Sequence, residues 1–265
     1  MTILIGSVPY LNAKPQVDWF HSPDCNADVS LTYAVPSELA IMLRDGRLDV
    51  ANVSIFEGLQ NPELRIVPGI SISAYGAVKS VRLFSKVPMA EIASVALDTS
   101  SLTSSALTQI LLREQFGISP IFHHHAPDLA AMLATHDAGL IIGDLKLFDL
   151  MPGTTVYDLG QGWQTMTGLP FVYACWLSRA DRATPEMTDI LTRAKIWGLA
   201  RLEEIALHWS GQMDLPLDRC RDYLMSVMNY DLTAEQLAGL RLFQRKCLEH
   251  GLISTEFPLR FIDGD

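Results

Sequence analysis

The chain has 265 residues, 49% of them hydrophobic and 19% charged, enough to bury one large core or two lobes of roughly 100–150 residues each, which excludes a disordered chain. Its formal net charge of −10 argues against non-specific binding to nucleic acid or to an anionic membrane surface. Cys25, Cys175, Cys220 and Cys247 are scattered without CxxC spacing, which fits reduced thiols rather than a disulfide framework.

Residues 2–6 form a short apolar strand that runs into Ser7-Val8-Pro9-Tyr10-Leu11-Asn12-Ala13-Lys14-Pro15. Open α/β sheets bind ligands beyond the carboxyl ends of their strands, where backbone N–H groups and short polar side chains converge. This turn offers hydroxyls, an amide and one lysine, without a phosphate-type glycine array, and suits a small oxygen-rich anion. The N-terminus is strand-like from residue 3 and lacks a basic n-region, and no run approaches ~18 uninterrupted apolar residues. A soluble, cytoplasmic protein is expected.

Strand-like runs at 28–33 and 48–54 flank a helix that opens at Pro36 and stops at Gly46, which predicts a right-handed βαβ unit. The second run delivers Ser54 at a strand end. Glu57, just beyond it, reads either as a general base or as a first-turn acid that complements the helix dipole. Runs at 64–73 and 76–84 continue as strands and carry the chain toward a second lobe. Alternation along 76–84 puts Lys79 and Ser80 on opposite faces, with Ser80 assigned to the ligand side.

The second lobe spans about 87–173. Its strand Val95-Ala96-Leu97 leads through Asp98-Thr99-Ser100-Ser101-Leu102-Thr103-Ser104-Ser105 into a helix from Ala106 to Phe116. The first N–H groups of a helix lack internal partners and its dipole is positive there, so Thr103 and Ser104 are candidate donors to a carboxylate or phosphate. Asp98 reads as an anchor for the turn. A strand near 121–122 follows, and His123-His124-His125 reads as a surface turn before Pro127, because adjacent strand residues face opposite ways and no ligand partners stand nearby. Beyond a helix after Pro127, the buried-strand pattern 138–142 ends in Gly143-Asp144, with Asp144 either capping a helix over 145–150 or touching ligand. Strands at 155–159 and 171–177 return the chain to the first lobe.

From Thr184 onward the pattern is helical: Pro185 opens a helix reaching about Ser210, Pro216 a second, and Thr233 a third with a capping box to Gln236. The expected fold is α/β, two-lobed, of the type II periplasmic-binding-protein kind with C-terminal helices. The first lobe takes residues 1–86 and 174–265, the second 87–173.

The opening motif S-x-x-Y-L-N-A-x-P, joined to D-V-A-x-V-S at 49–54 and A-L-D-x-x-S-x-T-S at 96–104, resembles the MqnA family, the chorismate dehydratases of the futalosine route to menaquinone. The similarity covers roughly residues 2–178 and includes Gly143-Asp144 and Thr167-Gly168-Leu169-Pro170-Phe171. The Ser-Pro-Cys-Pro-Asn-Asp opening of the sister enzyme is absent. Gln16 stands where the family more often has Leu.

The resemblance implies a lyase without cofactor or metal that converts chorismate to 3-[(1-carboxyvinyl)oxy]benzoate and water. It assigns Asn12, as a donor to substrate or departing hydroxyl, and Ser80 to catalysis. Thr103 and Ser104 would hold a carboxylate, and Ser7, Tyr10 and Ser54 would line the first-lobe wall, with Gly143 and Asp144 also at the substrate. Glu57, Asp144 and the substrate's enolpyruvyl carboxylate stand as alternative proton acceptors. The implied partner is a small dicarboxylate, not nucleic acid or membrane, and monomer and homodimer both remain open. A non-catalytic solute-binding protein for small anions is the alternative reading, disfavoured by the lack of a signal peptide. The ligand domain of a transcription regulator is a remote third, since no helix-turn-helix is fused.

Overall fold

A computed structural model of the chain describes residues 2–143 and 151–262. It opens with strand β1 (Ile3–Ser7), a 3₁₀ turn at Leu11–Ala13 and helix α1 (Lys14–Val17), whose Pro15 lies in the first turn, where a missing N–H costs no helical bond. Strand β2 (Val29–Tyr33), helix α2 (Pro36–Arg44) and strand β3 (Val50–Ser54) follow, and Gly46 at φ 72° ends the helix in the left-handed conformation. Next come helix α3 (Ile55–Gln60), strands β4 (Leu64–Ala74), β5 (Val81–Ser85) and β6 (Ser94–Asp98), helix α4 (Leu102–Phe116) and strand β7 (Ile121–His125). Helix α5 (Leu129–Thr135), strands β8 (Ala138–Ile142) and β9 (Thr155–Asp158), helix α6 (Leu159–Thr167) and strand β10 (Phe171–Arg179) continue the alternation. The C-terminal part holds α7 (Pro185–Leu199), α8 (Leu202–Gln212), α9 (Leu217–Asp222), a π-helical turn at Tyr223–Val227, β11 (Met228–Asn229) and α10 (Ala234–Glu249).

These elements form two compact units. Unit 1 comprises Met1–Ser73, Val172–Ala234 and Phe257–Asp265, and carries a six-stranded sheet ordered β11-β4-β10-β3-β1-β2. In it β1 is parallel to β2 and β3, while β10 runs antiparallel to β3. Ile3, Ile5, Val50, Val67 and Trp176 of the sheet pack with Met187, Ile190, Leu191 and Ala194 of α7. The same helix passes so close to α1 that a Cβ on Gly198 would lie 1.9 Å from the Pro15 carbonyl oxygen. Backbone cannot swing aside as a flexible side chain does, so Gly198→Ala is expected to cost about 2–3 kcal/mol. A thermal melt should show this as a Tm lowered by roughly 4–12 °C.

Unit 2 comprises Ala74–Phe171 and Glu235–Glu256, around a five-stranded sheet ordered β7-β6-β8-β5-β9. Here β6 is parallel to β7 and β8, and β5 is antiparallel to β8 and β9. Leu129, Met132 and Leu133 of α5 cluster with Phe84, Ala96 and Ile141 of the sheet. A second cluster sets Phe243 of α10 edge-on to Phe171 and Trp163, with ring centroids 4.9 and 6.1 Å apart.

The division drawn from sequence put residues 74–86 and all the C-terminal helices in the first lobe. The compact units place 74–86 and 235–256 in the second, for two packing reasons. Strand β5 is hydrogen-bonded on both edges within sheet 2, and Phe243 anchors α10 among unit 2 aromatics. The strand expected over 76–84 shortens to Val81–Ser85, because Gly76 (φ 91°) and Lys79 (φ 66°) leave the extended region. Helix α4 starts at Leu102, four residues earlier than expected, capped by Ser101 Oγ on the Ser104 N–H. The single helix expected from Pro185 to Ser210 divides between α7 and α8, and β11 interrupts the helical C-terminus. His123–His125 lie on edge strand β7 rather than in a turn.

Candidate functional site

In unit 1 the parallel neighbours β1 and β3 end at Ser7 and Ser54, and the Tyr10–Asn12 turn follows from the same end of the sheet. Ser7 is fully buried, its Oγ directed to the Val8 carbonyl oxygen at 3.5 Å, so it supports the turn from beneath. The Tyr10 carbonyl accepts from the Ala13 N–H at 3.1 Å and closes the 3₁₀ turn. Asn12 Nδ2 donates to the Tyr223 hydroxyl at 3.3 Å, while Asn12 Oδ1 is buried with no protein hydrogen bond. The amide expected to act as a donor therefore has one donor already engaged and its acceptor end open. Ser54 is buried at the start of α3. Glu57 accepts a charge-assisted bond from Arg44 Nη1 at 2.7 Å, which favours its structural reading over general base.

Next to this turn lies a charged cluster. The Lys14 ammonium, on a buried side chain, sits 3.7 Å from the Trp209 ring centroid and 4.8 Å from that of Tyr33. Trp209 Nε1 donates to Asp18 Oδ2 at 2.6 Å, and His21 Nε2 is 3.0 Å from the Tyr33 hydroxyl. Burial pushes the Asp18 carboxyl above its usual range, against the indole hydrogen bond and the charges of Lys14, His21 and His208. A raised native value means that the folded state holds the proton more tightly than the unfolded state. Stability contributed by this group is then present at low pH and lost as pH rises from about 4 through the raised value. Asp18→Asn is expected to flatten that loss in urea titrations run between about pH 4 and 8, whereas an unchanged slope would exonerate Asp18.

In unit 2, β6 and β8 end side by side, which brings the α4 N-terminus and Gly143 to the same sheet end as Ser80, just before antiparallel β5. The Gly143 N–H donates to the Ser80 carbonyl oxygen at 3.0 Å. Ser80 does not lie on a strand, as alternation predicted, but in a turn held by Asp158. That carboxylate accepts the N–H groups of Val78 (3.0 Å) and Lys79 (2.7 Å) and also caps α6 through Gln161 N. Sequence reasoning missed Asp158, whose one local signal is its capping position before Leu159.

Thr103 and Ser104 are buried in the first turn of α4. The first N–H groups of a helix have no carbonyl to reach, and of these the Ser104 N–H is taken by Ser101 Oγ at 3.2 Å. Asp98 anchors the turn as expected: its Oδ1 accepts from Ser100 N at 2.8 Å and Ser100 Oγ at 2.5 Å, and its buried Oδ2 has no protein partner. Asp144 lies outside the described residues.

Among the described residues no group of three His, Cys, Asp or Glu side chains is arranged to hold a metal ion. His123 Nδ1 and His136 Nε2 instead lie 3.1 Å apart on the exposed edge of sheet 2. The thiols of Cys175 and Cys247 are pushed up by burial, the latter to about 12, which keeps them protonated and unreactive. No helix among the described residues is long and apolar enough to cross a membrane.

Residues 3–249 match the family described as menaquinone biosynthesis. The chain is 32% identical over 230 residues to a chorismate dehydratase of Thermus thermophilus, covering 80% of this chain and 84% of that protein. It is 25% identical over 251 residues to a chorismate dehydratase of Campylobacter jejuni, covering 92% and 97% respectively. Among solved structures, a protein from Archaeoglobus fulgidus superposes with a TM-score of 0.76 at 17% identity, covering 95% of this chain and 98% of that one. The periplasmic aliphatic sulphonate binding protein of Escherichia coli superposes with a TM-score of 0.66 at 16% identity, covering 97% and 90%. These structural likenesses show a periplasmic-binding-protein-like fold.

Proposed function

The chain belongs to the menaquinone-biosynthesis family, and on that premise we propose that it is a hydro-lyase that converts chorismate to 3-[(1-carboxyvinyl)oxy]benzoate and water. Substrate and product differ by one water, so the reaction needs no electron acceptor. The observation that carries the reading is the open acceptor of Asn12: a buried Oδ1 without a protein donor, at the carboxyl end of β1, suits the single hydroxyl of chorismate.

The C3 proton of chorismate is acidified through the ring diene by the ring carboxylate. Its removal builds enolate-like charge on that carboxylate, and donors aimed there, with Ser80 as the assigned group, lower the barrier. The hydroxyls of Thr103 and Ser104, at the positive end of the α4 dipole, hold a carboxylate. Tyr10 and Ser54 contribute further polar contacts. Of the three acceptors that the resemblance raises, Glu57 is tied to Arg44 and Asp144 lies outside the described residues; we assign the proton to the substrate's own enolpyruvyl carboxylate, which reaches the C3 hydrogen through a six-membered ring. The C4–O bond then breaks, the departing oxygen takes that proton to leave as water, and the ring becomes aromatic.

Purified protein incubated with chorismate should form the aromatic ether well above the spontaneous rate. Saturable chorismate binding without product would place the chain with the non-catalytic binding proteins of its fold and overturn the reading.

A further inference from the structure

Tyr223 is fully buried and begins the π-helical turn, which is closed by a bond from the Met228 N–H to the Tyr223 carbonyl five residues back. Such widened turns are rare, bond less favourably than α-helical turns, and recur at functional sites. The Tyr223 side chain lies on the inward face of its segment, beside Cys220 and Leu224, and its hydroxyl accepts from Asn12 Nδ2 at 3.3 Å across 211 residues of sequence. The opposite end of the same amide is the buried acceptor without a protein donor.

Rotation of a carboxamide about its last torsion is soft, and local backbone does little to restrain it. The 3₁₀ turn that bears Asn12 has no side-chain cap. A hydrogen bond at one end of the amide therefore determines what the other end presents. Leaving an acceptor buried and unpaired costs folding free energy, a cost that a donor on the ligand removes.

We propose that Tyr223 is a positioning residue of the active site: its hydroxyl holds the Nδ2 end of Asn12, so that Oδ1 is presented as an acceptor to the C4 hydroxyl of chorismate. The proposal rests on the dehydratase reading for its ligand. Tyr223 is fully buried and is assigned no contact with the substrate. It acts through Asn12, and the accepted hydroxyl proton fixes the direction of the C4–O bond that breaks.

Tyr223→Phe keeps the ring and removes only the hydroxyl. The variant is expected to lose roughly tenfold in kcat for chorismate, with KM within about twofold of the parent. In an Asn12→Ala background the same substitution should cost nothing further, because its effect passes through the missing amide. In ¹⁵N spectra the two Asn12 side-chain N–H signals should be resolved and slowly exchanging in the parent and should lose that protection in Tyr223→Phe. An unchanged kcat, an equal loss in the Asn12→Ala background, or unaltered Asn12 signals would overturn the proposal. If the parent makes no product from chorismate, the dehydratase reading fails by itself. The Asn12 signals then decide the anchoring, with lost protection in Tyr223→Phe supporting it and unchanged protection overturning it.

Discussion

Asn12→Ala is expected to lower kcat for chorismate by roughly 10²–10³-fold, the loss typical of removing one preorganised polar group from the reacting centre. Stability should hardly change. The Oδ1 atom makes no protein hydrogen bond, so the deletion breaks only the 3.3 Å bond to Tyr223 and relieves an unpaired buried acceptor. Steady-state kinetics and a thermal melt on the same preparation separate the two quantities. A variant within about threefold of the parent in kcat would remove the amide from the mechanism.

Gln16→Leu should produce the largest loss of stability, about 3–5 kcal/mol, because it strands several buried polar groups at once. Gln16 Oε1 accepts from Trp176 Nε1 at 2.7 Å and from Asn52 Nδ2 at 3.1 Å, and its Nε2 donates to the Ser71 carbonyl at 2.7 Å. One side chain thus fastens α1, and with it the Asn12 turn, to strands β3, β4 and β10. Leucine fills a similar volume but accepts nothing, and Asn52 Oδ1 is already buried without a partner. The substitution that looks conservative from the family resemblance is therefore not conservative in this chain. Urea unfolding of Gln16→Leu, and of the triple variant with Asn52→Val and Trp176→Phe, tests the account. The triple variant should recover part of the loss, because both side-chain donors to Gln16 are removed and only the Ser71 carbonyl loses its partner. A loss under about 1 kcal/mol in the single variant would show that the network contributes little.

Elements with strong local signals were legible in the sequence. The βαβ unit from β2 to β3 announces itself through Pro36, Gly46 and two apolar runs, and β8 through its buried-strand pattern. Helix α6 was not legible because Gly160 and Gly162 disfavour a helix. The structure needs the second of these: a Cβ at Gly162 would lie 2.1 Å from the Tyr157 hydroxyl, which hydrogen-bonds Gln115. Ser80 was placed by assuming an unbroken strand. Its turn is made by Asp158, some 79 residues away from Lys79, and no local pattern reports such a partner.

The sequence alone determined which polar residues stand at strand ends and helix starts: Ser54 and Asn12 in one unit, Thr103 and Ser104 in the other, and the family that these motifs mark. Periodicity, caps and turns act over a few residues, so they can be read from a few residues. Tertiary structure decided which end of the Asn12 amide is left without a protein partner, that Glu57 is spoken for by Arg44, and that β5 and α10 belong to unit 2. Each of these depends on a contact between side chains or strands that meet only after folding. Their free energy lies in packing and hydrogen bonds across long sequence separations, which the local pattern of residues does not carry.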